Sequence, residues 1–257
     1  MLFRVDGHRE GDFVAVSACD PVFGSKSVTA LLAYGTGCYN PSFWLAYTAQ
    51  GVPTAALYLS GHVLTLSGQG DTAELAEFIR SHGVTEVDTN WEQCDRLMSV
   101  LGGVCESSFY MAYDGEPIAG DYSDIQPADN LREVFSVLQQ SHEYYRTHLT
   151  FECWSQEIAL KLDKGLMELV ILRDETGVPI GTGSVASEDA KSGAIAAVAV
   201  IPTHRGRLLG TKISSYLVNR VLEKGKQPVL ISGYDAVAQL YRKVGFHETG
   251  RWGELYL

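Results

Sequence analysis

The sequence is short of positive charge. It has 20 Lys and Arg against 31 Asp and Glu, a formal net charge of -11. A general nucleic-acid binder needs a basic surface to displace counterions, so no nucleic-acid partner is expected. The same deficit argues against an anionic membrane surface, whereas a cationic amine suits it. Cysteine is scarce as well. The five residues, at 19, 38, 94, 105 and 153, are odd in number and widely spaced, with no Cys-x-x-Cys pair. Neither a disulfide framework nor a metal site is expected, and reduced cytoplasmic thiols are the default. The opening residues MLFRVDGHREGD carry charges throughout and lack a secretory apolar core. No apolar run approaches the ~20 residues of a membrane-spanning helix. The sequence shows no solenoid-type repeat and no low-complexity segment.

What is present is apolar mass. Hydrophobic residues make up 46% of 257 positions, a globular composition. The length suits two compact units of ordinary size. The most informative stretch is 196–211, AAVAVIPTHRGRLLGT. Its apolar run, with Val198 and Val200, predicts an interior strand that Pro202 stops, because proline cannot donate to the next rung. A basic turn follows, His204-Arg205-Gly206-Arg207. Then Leu209, Ile213, Leu217 and Val221 recur at helical spacing. A strand that enters a helix through such a turn leaves backbone N–H groups unpaired at the helix start. The helix dipole favours negative charge there, and Arg205 and Arg207 add two full charges. Chemically this is a phosphate cradle.

This stretch resembles the acyl-coenzyme A loop of GNAT-fold N-acetyltransferases, in which Val-x-Val-x-Pro leads to Arg/Gln-x-x-Gly-x-Gly/Ala at the start of a long helix. Arg205 and Gly210 match the ends of that motif. Leu208 stands where the family has its first glycine, and a side chain there would crowd the pyrophosphate. A second segment, Leu240-Tyr241-Arg242-Lys243-Val244-Gly245-Phe246, is similar to the family's Leu-Tyr-x-Lys-x-Gly-Phe signature. It closes a helix predicted over 234–244, and Tyr234 departs from the asparagine often found at its start. The resemblance implies acetyl-coenzyme A as cosubstrate, held by Val198, Ala199, Val200, the loop residues Arg205, Gly206, Arg207, Leu208, Leu209, Gly210 and Thr211, and Tyr241. It also implies that the Tyr241 hydroxyl lies beside the thioester sulphur.

The remaining pattern supports two α/β units. Strands are predicted over 43–48, 55–59 and 62–66, a helix over 71–81, a strand over 84–87, a helix over 91–101 and a strand over 109–113. Residues 13–17 read as a strand, and 28–34 as helix or strand. In element order this half resembles a second, worn GNAT unit. Its strand-to-helix junction, Ser67-Gly68-Gln69-Gly70-Asp71, has no Arg or Lys. Asp71 with Glu74 forms a capping-box pattern that would repel phosphate. Residues 114–129 read as a linker. After it come helices over 131–142 and 151–162, strands over 166–173, 180–187 and 194–201, the loop and helix already described, a strand over 228–231, the 234–244 helix and a closing strand over 252–257. Gly181 and Gly183 thin their strand so that another backbone or a ligand can approach. The fold class is therefore α/β, in the α+β sense: a GNAT fold with a mixed, mostly antiparallel sheet flanked by helices over 129–257. A smaller GNAT-like α/β domain precedes it over 1–115, with a linker over 116–128.

The implied reaction is transfer of an acetyl group to a primary amine of a small molecule or peptide. Such an amine has pKa about 10 and must lose a proton. Many family members carry a glutamate on the central strand for this, but GAIAAV at 193–198 has none. Glu168 is the carboxylate expected beside Tyr241 in catalysis. Glu188, Asp189, His142, His148 and a water-relayed path remain open. The missing strand acid, Leu208 and Tyr234 also suit a non-catalytic coenzyme-binding or scaffold protein. A homodimer is compatible with the sequence.

Overall fold

The computed structural model describes every residue except Tyr234, so the predicted start of the 234–244 helix lies outside the described residues at that position. In chain order the first elements are β1 (Leu2–Arg4), α1 (Glu10–Ser17), α2 (Phe23–Tyr34), β2 (Ser42–Tyr47), β3 (Pro53–Ser60), β4 (Val63–Gly68), α3 (Thr72–Ser81), β5 (Glu86–Asn90), α4 (Trp91–Leu101) and β6 (Val104–Ala112). Then come β7 (Ile125–Pro127), α5 (Leu131–Ser141), α6 (Glu143–Thr147), α7 (Phe151–Asp163), β8 (Glu168–Arg173), β9 (Pro179–Glu188) and β10 (Ser192–Val200). A 3-10 turn (Pro202–His204) leads to α8 (Leu209–Glu223), β11 (Gln227–Ser232), α9 (Asp235–Val244) and β12 (His247–Tyr256). Among the described residues, no helix is long and apolar enough to cross a membrane.

The chain divides into two compact units. One comprises Met1–Met111, Ile231–Asp235 and Glu248–Leu257, and the other Ala112–Leu230 and Ala236–His247. This division differs from spans of 1–115, 116–128 and 129–257: residues 112–115 join the second unit, and 231–235 and 248–257 join the first. Residues 116–128 fall in the second unit, where β7 pairs antiparallel with β8. The C-terminal strand, expected to close the second unit, runs antiparallel to β5 of the first, with Trp252 opposite Asn90 and Leu255 opposite Val87. Leu255 is fully buried there in a core with Leu64, Leu97 and Val87. Hydrophobic periodicity reports that a strand is buried but does not identify its neighbour, which is why the partner was illegible.

In the N-terminal unit the strand order is β1-β2-β3-β4-β5-β12-β6. Successive residues of β3 face opposite cores. Leu57 joins Leu66, Leu75, Phe78 and Ile79 against α3 and α4, while Ala56 and Tyr58 join Phe13, Leu31 and Phe43 against α1 and α2. The expected strand over 13–17 lies instead within α1, whose buried residues Phe13 and Ser17 are four apart, a helical spacing. The expectation of reduced thiols also fails in part, because Cys94 and Cys105 form a disulfide. The chain reverses between α4 and β6 at Gly102 and Gly103, both at positive φ, and this brings position 105 back to 94. Cys19, Cys38 and Cys153 are free.

The C-terminal unit has the strand order β11-β10-β9-β8-β7, with β10 and β11 parallel and the other pairs antiparallel. The thinned positions of its sheet receive α8. A Cβ at Gly183 would lie 2.7 Å from Ile213 and 2.8 Å from Leu217, and one at Gly193 would lie 2.8 Å from Val221. Three apolar residues spaced by four therefore seat one face of α8 directly on glycine, which fixes the position of the helix start.

Candidate active site

The sheet of the C-terminal unit opens at its parallel pair. Among the described residues β10 pairs with β11 only at 192–194, opposite 227–229. Beyond that point, among those residues, β10 keeps β9 alone as a partner, out to Val200. Between Ala196 and Ala199 the strand carries one more residue than β9 does, and Ala197 has a φ of 54°. This is a bulge, which bends the strand and re-aims its free edge. Residues 197–200 line a cavity of about 550 Å³ on that edge.

The turn after Pro202 forms the next wall. Gly206 has a φ of 78° and Leu208 a φ of 59°. Leu208 is the N-cap of α8, no side chain caps the helix, and no acid lies in its first turn. The first helical hydrogen bond is from Lys212 N–H to Leu208 O, 2.9 Å. The N–H groups of Leu209, Gly210 and Thr211 thus have no partner within the helix, and these residues line the cavity. Leu208 lines the cavity at this point. Its backbone adopts the left-handed conformation that glycine would supply, and its side chain is 74% exposed at the rim.

α9 closes a third side with Val237, Leu240 and Tyr241. Tyr241 is 8% exposed and packs edge-on against Phe246, with ring centroids 5.7 Å apart. Burial pushes its hydroxyl up to about 12. The group therefore stays protonated at neutral pH, and a hydroxyl that keeps its proton is a donor toward the cavity. The last side comes from α5 and α6, with Leu138, Ser141, His142 and Tyr145. His142 Nδ1 accepts the Tyr144 N–H at 3.2 Å. In the neutral ring the proton then sits on Nε2, and the Nδ1 lone pair is engaged.

Val198, Ala199, Val200, Arg205, Gly206, Leu208, Leu209, Gly210, Thr211 and Tyr241 all line this one cavity; Arg207 and Glu168 do not. Arg205 is held as a brace. Its Nε donates to Val200 O at 3.1 Å and an Nη to Ser141 O at 2.8 Å, tying the end of β10 to the end of α5. Glu168 is bound elsewhere, with Arg220 at 3.0 Å and Lys224 at 2.7 Å. Burial alone would raise its carboxyl, but hydrogen bonds and charge from Lys224 and Arg220 outweigh that and hold it below the usual range. Glu188 pairs with Lys224 and Lys226, Asp189 accepts the N–H groups of Lys191 and Ser192, and His148 stacks on Tyr144. Of the proposed proton acceptors only His142 reaches the cavity, and no carboxylate lines it among the described residues. Tyr145 and α6 escaped the sequence reading, although the aromatic pair Tyr144-Tyr145 between two helices was a signal for them.

An open strand edge, uncapped helix amides and the absence of acid suit a ligand with a peptide-like arm and a diphosphate. The family model described as acetyltransferase (GNAT) family matches residues 131–246. Among solved structures, a GCN5-related N-acetyltransferase from Sphaerobacter thermophilus is 17% identical over 99% of this chain and 94% of its own, with a TM-score of 0.63. A tandem GNAT protein from the clavulanic acid biosynthesis pathway is 13% identical over 99% and 97%, with a TM-score of 0.65. A GNAT-family acetyltransferase from Colwellia psychrerythraea is 11% identical over 100% and 99%, also with a TM-score of 0.65. No curated protein matches in sequence. At these identities the structures show the fold alone, and the family model shows that residues 131–246 are similar to the acetyltransferase (GNAT) family.

Proposed function

We propose that this chain is an N-acetyltransferase that moves an acetyl group from acetyl-coenzyme A to a primary amine of a small molecule or peptide. The observation that carries the reading is the junction of β10 with α8, where an unpaired strand edge meets an uncapped helix start in one cavity. The cosubstrate supplies a thioester whose C–S bond is exchanged for a C–N bond. The free edge of β10 at residues 197–200 pairs with the amide-bearing arm. The first-turn amides of α8 and its dipole take up the negative charge of the diphosphate. Tyr241 donates its hydroxyl hydrogen toward the departing sulphur. The amine loses its proton through water, because no carboxylate lines the cavity among the described residues. Neither nucleic acid nor a membrane is the partner, in keeping with the net charge of -11.

Release of free thiol from acetyl-coenzyme A in the presence of an amine panel tests this directly. Tyr241→Phe is expected to lower kcat about 10²-fold, the lower end of what one positioned proton donor contributes. Failure of the protein to bind the coenzyme at millimolar concentration would overturn the proposal. The acid-free lining also favours a second reading, a coenzyme-binding protein without turnover. Calorimetric binding with no thiol release across the panel would select it.

A further inference from the structure

The N-terminal unit has a cavity of its own, of about 810 Å³. It opens where β4 and β5 part after their parallel pairing at residues 63–65 and 86–88. Gly68 and Gln69 line it from the end of β4, Asn90 from the end of β5, and Asp20 from the α1–α2 connection. Its chemistry is the inverse of the acetyltransferase cavity. No Lys, Arg or His lines it among the described residues, and Asp20, only 6% exposed, does.

Asp20 is held firmly but not neutralised. One carboxylate oxygen accepts the N–H groups of Val22 at 3.1 Å and Phe23 at 2.8 Å, and the other accepts the Tyr110 hydroxyl at 2.7 Å. All three donors are neutral, so a buried negative charge lacks a counter-charge, and burial pushes the carboxyl above its usual range despite these bonds. Anions are disfavoured a second time at the adjoining helix, where Asp71 caps α3 by accepting the Glu74 N–H at 2.9 Å. A bare divalent ion is a poor fit, since Ca²⁺ takes about 6–8 oxygens and one carboxylate lines the space. The volume is that of an organic ligand, within the roughly 300–1,000 Å³ of small-molecule sites.

We propose that this cavity binds an organic cation, a primary ammonium or guanidinium, whose head group sits on the free lone pairs of Asp20 and the Tyr110 oxygen. Thr54, Asn90 and Thr249 offer further neutral acceptors around it. The inference stands apart from acetyl transfer and holds whether or not the other unit turns over. Calorimetry on the full chain with n-butylammonium, butan-1-ol and butyrate tests it. Butylammonium is expected to bind at least tenfold more tightly than the other two, and Asp20→Asn to lose at least tenfold of that affinity. Because Asp20 also accepts the Val22 and Phe23 N–H groups at the start of α2, a second variant leaves it untouched: Gln69→Lys, at the exposed mouth, places an ammonium of its own there and should weaken binding similarly. Cys19 is free, exposed and part of the lining, so it locates the site. Alkylation with N-ethylmaleimide should abolish binding, whereas the Cys19→Ser protein treated identically should retain it. Absence of butylammonium binding, equal binding of butan-1-ol or butyrate, or binding indifferent to Gln69→Lys or to Cys19 alkylation would each overturn the proposal.

Discussion

Two strand-to-helix junctions, β4 to α3 and β10 to α8, share a plan and differ in their ends. Each follows a strand that parts from its parallel neighbour, and each borders a cavity. In the N-terminal unit the Asp71 side chain accepts the Glu74 N–H, and Glu74 adds a second acid to the first turn. In the C-terminal unit the Leu208 side chain has no acceptor and the first turn has no acid. One helix start has a side-chain cap and the other has none. The two openings therefore differ in charge: uncapped amides without an acid border one, and the buried Asp20 carboxylate lines the other.

The contrast can be broken by exchanging the ends. Leu208→Asp brings a carboxylate to the free amides of α8. Coenzyme affinity is expected to fall at least tenfold by calorimetry, while thermal stability rises slightly, because a negative charge at a helix start contributes about 0.3–1 kcal/mol. Asp71→Ala does the converse in the N-terminal unit. It should cost about 1 kcal/mol in chemical denaturation, the usual value of an N-cap, and leave coenzyme affinity unchanged. Leu208→Gly sharpens the comparison further. It removes the left-handed penalty of a leucine and should stabilise the protein by up to about 1 kcal/mol without loss of coenzyme binding.

The smallest effect is a pH dependence confined to the N-terminal unit. There Glu254 on β12 lies opposite Asp88 on β5, with Glu86 close by. Burial first, and then the charges of Asp88 and Glu86, push the Glu254 carboxyl up from the ordinary 4.5 to about 7, against a lowering hydrogen bond from Tyr256. A carboxyl raised on folding favours the folded state while it is protonated. Its contribution is complete below the unfolded value and is lost as pH rises through about 7. Thermal stability should therefore decline between about pH 5 and 8, and Glu254→Gln should flatten that decline.

Much of the C-terminal site was legible because its signals are local. Pro202 stops the strand, the stripe of Ile213, Leu217 and Val221 sets the helix, and Gly245-Phe246 ends α9 so that Tyr241 faces inward. What stayed illegible depends on partners far along the chain. Glu168 looked available until Arg220 and Lys224, both on α8, were seen to hold it. Arg205 looked like a phosphate ligand, yet its donors reach Ser141, 64 positions earlier. The Cys94–Cys105 disulfide arises from a reversal between a helix and a strand, which no spacing rule specifies. Leu208 shows another limit: residue type forecasts a side chain's bulk, whereas the left-handed backbone at this position was not readable from the sequence.

The most direct measurement is a crystal structure of the full chain with coenzyme A bound. The expected result places the diphosphate against the amides of Leu209, Gly210 and Thr211 and the pantetheine arm along residues 197–200, with its sulphur near Tyr241. A diphosphate seated at the β4–α3 junction, or anywhere other than the start of α8, would contradict it.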